Sequence, residues 1–257
     1  MIDLHSHILP GLDDGAPDEE EMLAMARTAV EEGITKLMAT PHHQNGSYNN
    51  PASVIRRQVK KANARLKEQR IPLEILPGQE VRIYGEMLED LGEGDVLTLN
   101  GSNYLFVEFP SSQVPRYAKQ LFYDLQLEGY KPVIVHPERN QVFVEKPRML
   151  YDFVQNGALT QVTAGSVTGA FGRKIKHFSL EMIRANLTHI VASDAHNTTS
   201  RPFHLKEAYE VIEGEFDSKR AAFFQANAEK IIANDPVIPD QPKHMEEKSW
   251  LKRLLSK

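Results

Sequence analysis

The chain has 257 residues, 41% hydrophobic and 25% charged, values typical of a globular α/β protein with a substantial core. It contains no cysteine, which excludes disulfide bonds, thiolate metal ligands and a cysteine nucleophile. The net charge of −5 argues against a nucleic-acid partner or a polymerase-type exonuclease, since both need a basic surface. No apolar run could span a bilayer and no signal peptide is readable, so the sequence predicts a cytoplasmic protein.

The first fifteen residues, MIDLHSHILPGLDDG, combine a predicted strand with a polar turn. Because alternate side chains of a strand share one face, His5 and His7 are expected to point in the same direction. The turn that follows carries Asp13 and Asp14. Two imidazoles with carboxylates close behind them indicate a metal site. The alternative is two unrelated surface histidines beside an acidic loop.

Predicted helices and strands alternate along the rest of the chain. Asp18 begins an amphipathic helix that ends at Gly33, and a helix over residues 51–70 is so rich in Lys and Arg that we interpret it as solvated. Residues 165–172 are predicted to form a loop of small residues. Six further strands are predicted over residues 34–40, 73–77, 104–109, 133–135, 159–164 and 189–192. This alternation predicts a parallel sheet covered by helices.

Chemically active side chains fall at or just after the carboxyl ends of the predicted strands. Only a closed barrel brings all these ends to one face, because in an open sheet they spread along a line. The fold prediction is therefore an α/β, distorted TIM-like (β/α)7 barrel with a metal site at the carboxyl ends of its parallel strands. We expect a single domain over residues 1–235 and a tail over residues 236–257.

The predicted metal-ligand set consists of five histidines and four carboxylates. Its members are His5, His7, Asp14, His42, Glu80, Glu108, His136, Asp194 and His196. A mononuclear site needs only three or four ligands, so nine ligands indicate two or three ions. Nitrogen and oxygen donors favour Mn, Fe, Mg or Zn without choosing among them. The alternative is that polar residues happen to occupy these strand ends.

Several motifs resemble those of the polymerase and histidinol phosphatase (PHP) superfamily. They are DLHSH at 3–7, TPH at 40–42, Glu80, HPER at 136–139 and SDAH at 193–196. The resemblance covers residues 1–204. It implies three metal ions in a (β/α)7 barrel and suggests that the metal is Mn. LPGLDDG at 9–15 and HPERN at 136–140 resemble, more closely, the bacterial protein-tyrosine phosphatases encoded with capsule and exopolysaccharide genes.

The resemblance also distributes the nine ligands among the three ions. It places His5, His7, Glu80 and Asp194 on the first ion. It places Glu80, Glu108 and His136 on the second, with Glu80 as a bridge, and Asp14, His42 and His196 on the third. Three divalent ions and four carboxylates leave the site with a charge of about +2, which attracts a phosphate dianion.

Two arginines follow ligand motifs closely in sequence and are candidate phosphate-binding residues. Arg139 lies three residues after His136, and Arg201 lies five residues after His196. A guanidinium group matches two phosphate oxygens, whereas the alternative for each is a solvated surface arginine. The predicted reaction is hydrolysis of a phosphomonoester by a metal-activated hydroxide, without a covalent intermediate.

The resemblance implies that the substrate is phosphotyrosine on a membrane-associated bacterial tyrosine kinase, whose dephosphorylation regulates capsule or exopolysaccharide synthesis. Two alternatives stay open. One is a histidinol-phosphate phosphatase, which shares the fold and the metal cluster. The other is a regulator that binds phosphotyrosine without hydrolysing it.

The tail over residues 236–257 is the stretch that the resemblance does not explain. Pro236, Pro239 and Pro242 interrupt any helix. Beyond them, Trp250 and Leu254 share the apolar face of a short segment that is surrounded by Lys and Arg. This basic amphipathic pattern fits an anionic membrane or a partner protein, or else a tail that lies against its own barrel.

Overall fold

The computed structural model describes residues 1–245, and strands in this part of the chain alternate with helices. The strands are β1 (Ile2–Ser6), β2 (Lys36–Ala39), β3 (His42–His43), β4 (Glu74–Pro77), β5 (Glu80–Arg82), β6 (Tyr104–Glu108), β7 (Lys131–Val135), β8 (Leu159–Thr163) and β9 (Ile190–Ala192). All of the strand pairs are parallel. The predicted α/β class and its parallel strands are confirmed.

The helices follow the strands in the order that a parallel sheet requires. They are α1 (Glu19–Glu31), α2 (Ala52–Glu68), α3 (Met87–Glu93), α4 (Ala118–Leu127), α5 (Gln141–Glu145), α6 (Pro147–Gln155), α7 (Ala164–Thr168), α8 (Arg173–Arg184), α9 (Leu205–Glu215) and α10 (Ser218–Ala233). Asp18 caps α1 by accepting a hydrogen bond from Glu21 N. Among the described helices, none is long and apolar enough to cross a membrane.

The strands pair in two runs, β1-β2-β4 and β3-β5-β6-β7-β8-β9. Backbone bonds continue from one run into the other, because Gly78 N donates to Ala39 O and Glu80 N donates to Pro41 O. The last strand returns to the first through a parallel bridge between Ser6 and Ala195. The pairing thus runs in a ring of seven strand positions. This order agrees with the predicted (β/α)7 barrel, whose TIM-like form stays a prediction.

Two details of the sequence prediction were wrong. The second and third strands are interrupted, so that His42–His43 and Glu80–Arg82 form separate short strands. Pro41 lacks the N–H that an unbroken ladder would need. Residues 165–172 are not entirely a loop, since they include most of α7, which ends at Gly169 in the left-handed conformation.

The apolar core has two layers that alternate along the strands. One cluster fills the space between the strands and the covering helices, and it includes Leu37, Leu105 and Ile134. The other fills the interior of the ring with Leu4, Met38, Leu76, Phe106, Val133, Val135, Leu159 and Ile190. Ala228 and Ile231 of α10 also belong to the interior cluster. The strands are therefore fixed on both faces, which holds their carboxyl ends in register.

The first part of the tail packs against the rest of the chain. Val237 N donates to Tyr104 Oη, and Lys243 N donates to Ala185 O. The His244 ring stacks on Tyr151, with 3.8 Å between their centroids. The division at residue 235 stays a prediction, and the basic amphipathic segment lies outside the described residues.

Candidate metal centre

Four predicted ligands form a buried group at the carboxyl ends of the strands. The buried group comprises His5, His7, Glu80 and Asp194, whose ligand atoms all lie within 4.8 Å of one another. Nε2 of His5 lies 3.3 Å from Glu80 Oε2, and Nε2 of His7 lies 3.2 Å from Asp194 Oδ1. The sequence prediction assigned these four residues to one ion, and the structure brings all four together.

A second set, the rim group, lies closer to solvent. It comprises His7, Asp14, His42 and His196, again with ligand atoms within 4.8 Å. Asp14 Oδ1 lies 3.4 Å from His42 Nε2 and 3.5 Å from His196 Nε2. The Asp14 side chain is 46% exposed, whereas that of His196 is 1% exposed. The predicted set of Asp14, His42 and His196 is thus assembled, with His7 as an additional neighbour.

The third set joins the other two. His42, Glu80 and Glu108 bring their ligand atoms within 4.8 Å of one another. The resemblance placed His136, rather than His42, with Glu80 and Glu108 on the second ion, and His136 Nε2 lies 2.6 Å from Glu80 Oε1. Glu80 therefore contacts ligands on both sides, as a bridging carboxylate would. The ligand assignments themselves stay predictions.

Two side chains outside the nine predicted ligands orient the imidazoles of His7 and His5. Asp13 Oδ2 lies 2.6 Å from His7 Nδ1 and accepts a hydrogen bond from His42 N. Gln161 Oε1 lies 3.0 Å from His5 Nδ1. Because Asp13 and Gln161 contact the Nδ1 atoms, the Nε2 atoms of His7 and His5 face the carboxylates of Glu80 and Asp194. Asp13 stands beside Asp14 in sequence, but nothing in the sequence pattern indicates Gln161, which comes from β8.

Local backbone conformation places three of the site residues. Gly15 packs so closely on β1 that a Cβ atom there would lie 2.0 Å from His7 O. This contact holds the turn that carries Asp14 against the strand. His136 and Asp194 have φ values of 35° and 56°, in the left-handed region that such residues seldom adopt. Strained backbone of this kind is found at functional sites, where the surrounding structure stabilises it.

The two predicted arginines meet at one carboxylate. Arg139 Nη2 donates to Asp194 Oδ2 at 2.6 Å, and Arg201 Nη2 donates to the same oxygen at 3.0 Å. Asp194 Oδ2 therefore contacts the two arginines, and Asp194 Oδ1 contacts His5 and His7 of the buried group. The Arg139 guanidinium also lies 5.7 Å from the centroid of the Phe171 ring. Both predicted arginines lie at the site.

Comparison with known proteins places this geometry in a family. A family model described as "Capsular polysaccharide synthesis, CpsB/CapC" matches residues 1–233. The chain belongs to the CpsB/CapC family. Its relatives include tyrosine-protein phosphatase YwqE of Bacillus subtilis, which is 51% identical over 94% of this chain and 96% of its own length. Putative tyrosine-protein phosphatase CapC of Staphylococcus aureus is 35% identical over 97% of this chain and 98% of its own length.

A solved structure agrees with this assignment. It comes from work on YwqE of Bacillus subtilis and CpsB of Streptococcus pneumoniae, described as unique metal-dependent tyrosine phosphatases. It matches this CpsB/CapC member with a TM-score of 0.94 at 50% identity, covering 96% of this chain and 100% of that chain. Both the fold and the metal-dependent class of the relatives therefore agree with the clustered ligands.

The donor atoms of this CpsB/CapC site fit divalent cations. Glu80 Oε2, His42 Nδ1 and His196 Nε2 are buried and have no hydrogen-bond partner within residues 1–245. His42 Nδ1 lies only 2.9 Å from Glu80 Oε2, but the two atoms are not aligned for a hydrogen bond. A buried polar atom without a partner costs about 1–3 kcal/mol. Cations placed between these lone pairs would remove that cost.

Charge also favours metal binding. Burial raises the pKa of Glu80, but its interactions with His42, His5 and His136 outweigh burial, so that the pKa lies well below its usual value. Burial and the neighbouring Arg139 lower the pKa of His136 to about 4. Burial likewise lowers the pKa of His196 to about 4. These values keep Glu80 ionised and His136 and His196 neutral near pH 7.

Burial opposes protonation of His7 and His42 as well, but Asp13 raises the pKa of His7 well above its usual value and Glu80 raises that of His42 to about 10. Divalent ions that bind here would therefore displace protons from these two rings.

A cavity of about 220 Å³ opens beside the ligands. Its walls include Arg139, Arg201, Glu108 and His136, together with the ring of Phe109. The cavity therefore combines guanidinium groups with metal-ligand candidates in one small volume. A phosphate group bound there would contact both.

Proposed function

We propose that this protein is a metal-dependent tyrosine-protein phosphatase that hydrolyses phosphotyrosine. The observation that carries the proposal is the convergence of nine histidine and carboxylate side chains with Arg139 and Arg201 at one end of the strand ring. The relatives named tyrosine-protein phosphatases support the activity. The PHP assignment agrees with the same motifs and stays an interpretation of them.

Some residues of this chain would bind the phosphomonoester directly, and others orient the residues that bind it. Arg139 and Arg201 would hold the equatorial phosphate oxygens, and Asp194 fixes the orientation of both guanidinium groups. The small, open cavity suits a phosphotyrosine on an extended segment of a protein. Bound divalent ions would supply activation of water near neutral pH and further positive charge for the phosphate.

The leaving group and the amino-acid composition support the same chemistry. A phenolate, with a pKa of about 10, needs less help from a general acid than an aliphatic alkoxide does. The chain has no cysteine, so a phosphocysteine intermediate cannot form. We therefore propose direct transfer of the phosphoryl group to water. We further propose three ions, with manganese as the metal.

The substrate that we propose is a membrane-associated bacterial tyrosine kinase. The family description, which refers to capsular polysaccharide synthesis, supports a role in regulating capsule or exopolysaccharide production. The predicted cytoplasmic location belongs to this proposal as well. The histidinol-phosphate phosphatase and the non-catalytic regulator remain as alternatives, and no contact in the site favours either one.

The test compares Arg139→Ala with the unchanged protein on a phosphotyrosyl peptide and on histidinol phosphate. We expect the unchanged protein to prefer the peptide. We expect Arg139→Ala to retain its metal ions but lose about 100-fold or more in kcat/KM, because a charged hydrogen bond to the transition state is removed. Normal kinetics of Arg139→Ala would contradict its role. A preference for histidinol phosphate, or peptide binding without turnover, would support an alternative function.

A further inference from the structure

One helix next to the metal centre exposes a patch of positive charge. The residues of α2 that face the core are Ala52, Ile55, Val59, Ala62 and Leu66. On the opposite side, four cationic side chains are exposed over two successive turns. These residues, the basic face, are Arg56, Arg57, Lys60 and Lys61.

The charges of the basic face are not neutralised by neighbours. Within residues 1–245, none of its four side chains forms an ion pair or a hydrogen bond. Arg65, on the same helix, pairs with both Glu19 and Glu68. Acidic side chains are therefore present along this helix, but they form ion pairs with Arg65 and not with the basic face.

The arrangement is unfavourable for the helix itself. Arg56 and Lys60, like Arg57 and Lys61, are four residues apart, and like charges at this spacing destabilise a helix. The first turn of α2 contains no acidic residue, whereas that of α1 contains three. Arg56 and Arg57 also lie in the N-terminal half of α2, nearer the positive end of its helix dipole. A face that served solubility alone would mix both signs.

The basic face begins beside the metal centre. Asn50, just before α2, donates one hydrogen bond to His42 O and another to Leu12 O. These two carbonyls belong to the segments that carry the rim group. From Ala52 to Arg57 the helix rises only about 8 Å, at 1.5 Å per residue. Arg56 and Arg57 therefore lie within two turns of the segments that carry the rim group.

We propose that the basic face is a docking surface for an acidic segment that flanks the phosphotyrosine of the protein substrate. This inference rests on the proposed function and identifies the class of substrate. The rise from Arg56 to Lys61 is also about 8 Å, which matches two to three residues of an extended polypeptide. Carboxylates or further phosphate groups in that stretch would pair with the four cations.

An anionic membrane is the other kind of partner that such charge could attract. The large apolar side chains Ile55, Val59 and Leu66 of α2 are buried, so this helix presents little apolar surface to a bilayer. The net charge of the chain is −5, so charge-driven binding to an acidic peptide would concentrate at the basic face. These features favour the acidic polypeptide.

The experiment uses the full-length, metal-loaded protein and the variant R56Q/R57Q/K60Q/K61Q. Its substrates are para-nitrophenyl phosphate and two phosphotyrosyl peptides, one with acidic and one with neutral flanks. We expect the variant to lose about tenfold or more in kcat/KM on the acidic peptide at low salt, mainly through KM. High salt should reduce the difference. Turnover of the small ester and of the neutral peptide should not change.

A matched control removes four exposed positive charges elsewhere, in the variant K131Q/R148Q/K206Q/K219Q. It should retain the activity of the unchanged protein on all three substrates. Equal losses in both variants, or no loss on the acidic peptide, would overturn the docking surface. So would binding to phosphatidylglycerol vesicles that requires the basic face while peptide kinetics stay unchanged. If the unchanged protein hydrolysed neither peptide, the proposed function would fail as well.

Discussion

The buried group and the rim group use the same kinds of side chain but differ in how the chain positions them. Every member of the buried group lies in a strand or within two residues of one, and none has a side chain more than 1% exposed. The rim group adds Asp14 and His196, which come from loops, and the Asp14 side chain is 46% exposed. Strands therefore fix one half of the centre, and loops complete the half that includes the exposed Asp14.

This difference has a consequence for how each group responds to substitution. Removing a buried ligand changes a site that several strands share, and it leaves buried partners without a counter-charge. Removing Asp14 changes a loop residue whose own side chain is 46% exposed to water. The two groups should therefore differ in how much metal and how much activity a single substitution removes.

The largest effect is expected for Glu80→Gln. Glu80 contacts His5, His42 and His136, so its charge is shared by two of the three groups. We expect loss of more than one bound ion and a fall in kcat of well over 100-fold, since even outer partners of ligands contribute 10–100-fold. Metal analysis of the purified variant, together with peptide hydrolysis, measures both. Full metal content with normal turnover would contradict the bridging position of Glu80.

A smaller effect is expected for Asp14→Asn. The variant should bind one ion fewer and lose about 10–100-fold in kcat, because the buried group stays intact. Metal analysis should distinguish this variant from Glu80→Gln. If Asp14→Asn lost as much metal as Glu80→Gln, the separation between the rim group and the buried group would be wrong.

The turn that carries Asp14 can be tested through Gly15→Ala. The added Cβ atom would clash with His7 O, so we expect a destabilisation of about 1–3 kcal/mol and weaker metal binding at the rim. Gly85→Ala is the control, because nothing lies within 4 Å of a Cβ atom there. Thermal unfolding of the metal-free proteins gives the comparison. Equal stability of Gly15→Ala and the unchanged protein would contradict the close packing of the turn.

An imidazole outside both groups should affect stability but not catalysis. Burial lowers the pKa of His189 to about 4, so the folded state keeps this ring neutral. Its contribution is complete above pH 6.5 and is lost as the pH falls toward 4, by about 3 kcal/mol in total. His189→Gln should remove this part of the pH dependence, which denaturant unfolding between pH 4 and 7 measures. The same pH dependence in both proteins would show that folding does not lower the pKa of His189.

The sequence predicted the buried group better than its surroundings, for a physical reason. The alternation of side chains in β1 fixes the common direction of His5 and His7, and the position of Glu80 after a strand fixes its side of the sheet. The short strands β3 and β5 were missed, because Pro41 and Gly78 signal the ends of the strands before them and the pairing resumes only through tertiary contacts. Gln161 was also missed, since its contact with His5 depends on tertiary packing between distant parts of the chain.

The central claim is that the clustered histidines and carboxylates carry catalysis through bound metal ions. The most direct measurement is hydrolysis of a phosphotyrosyl peptide by protein whose metal has been removed by a chelator and verified by metal analysis. We predict that turnover is abolished, that Mn²⁺ restores it, and that thiol-directed reagents have no effect because the chain lacks cysteine. Full turnover by protein shown to be free of metal would contradict the account.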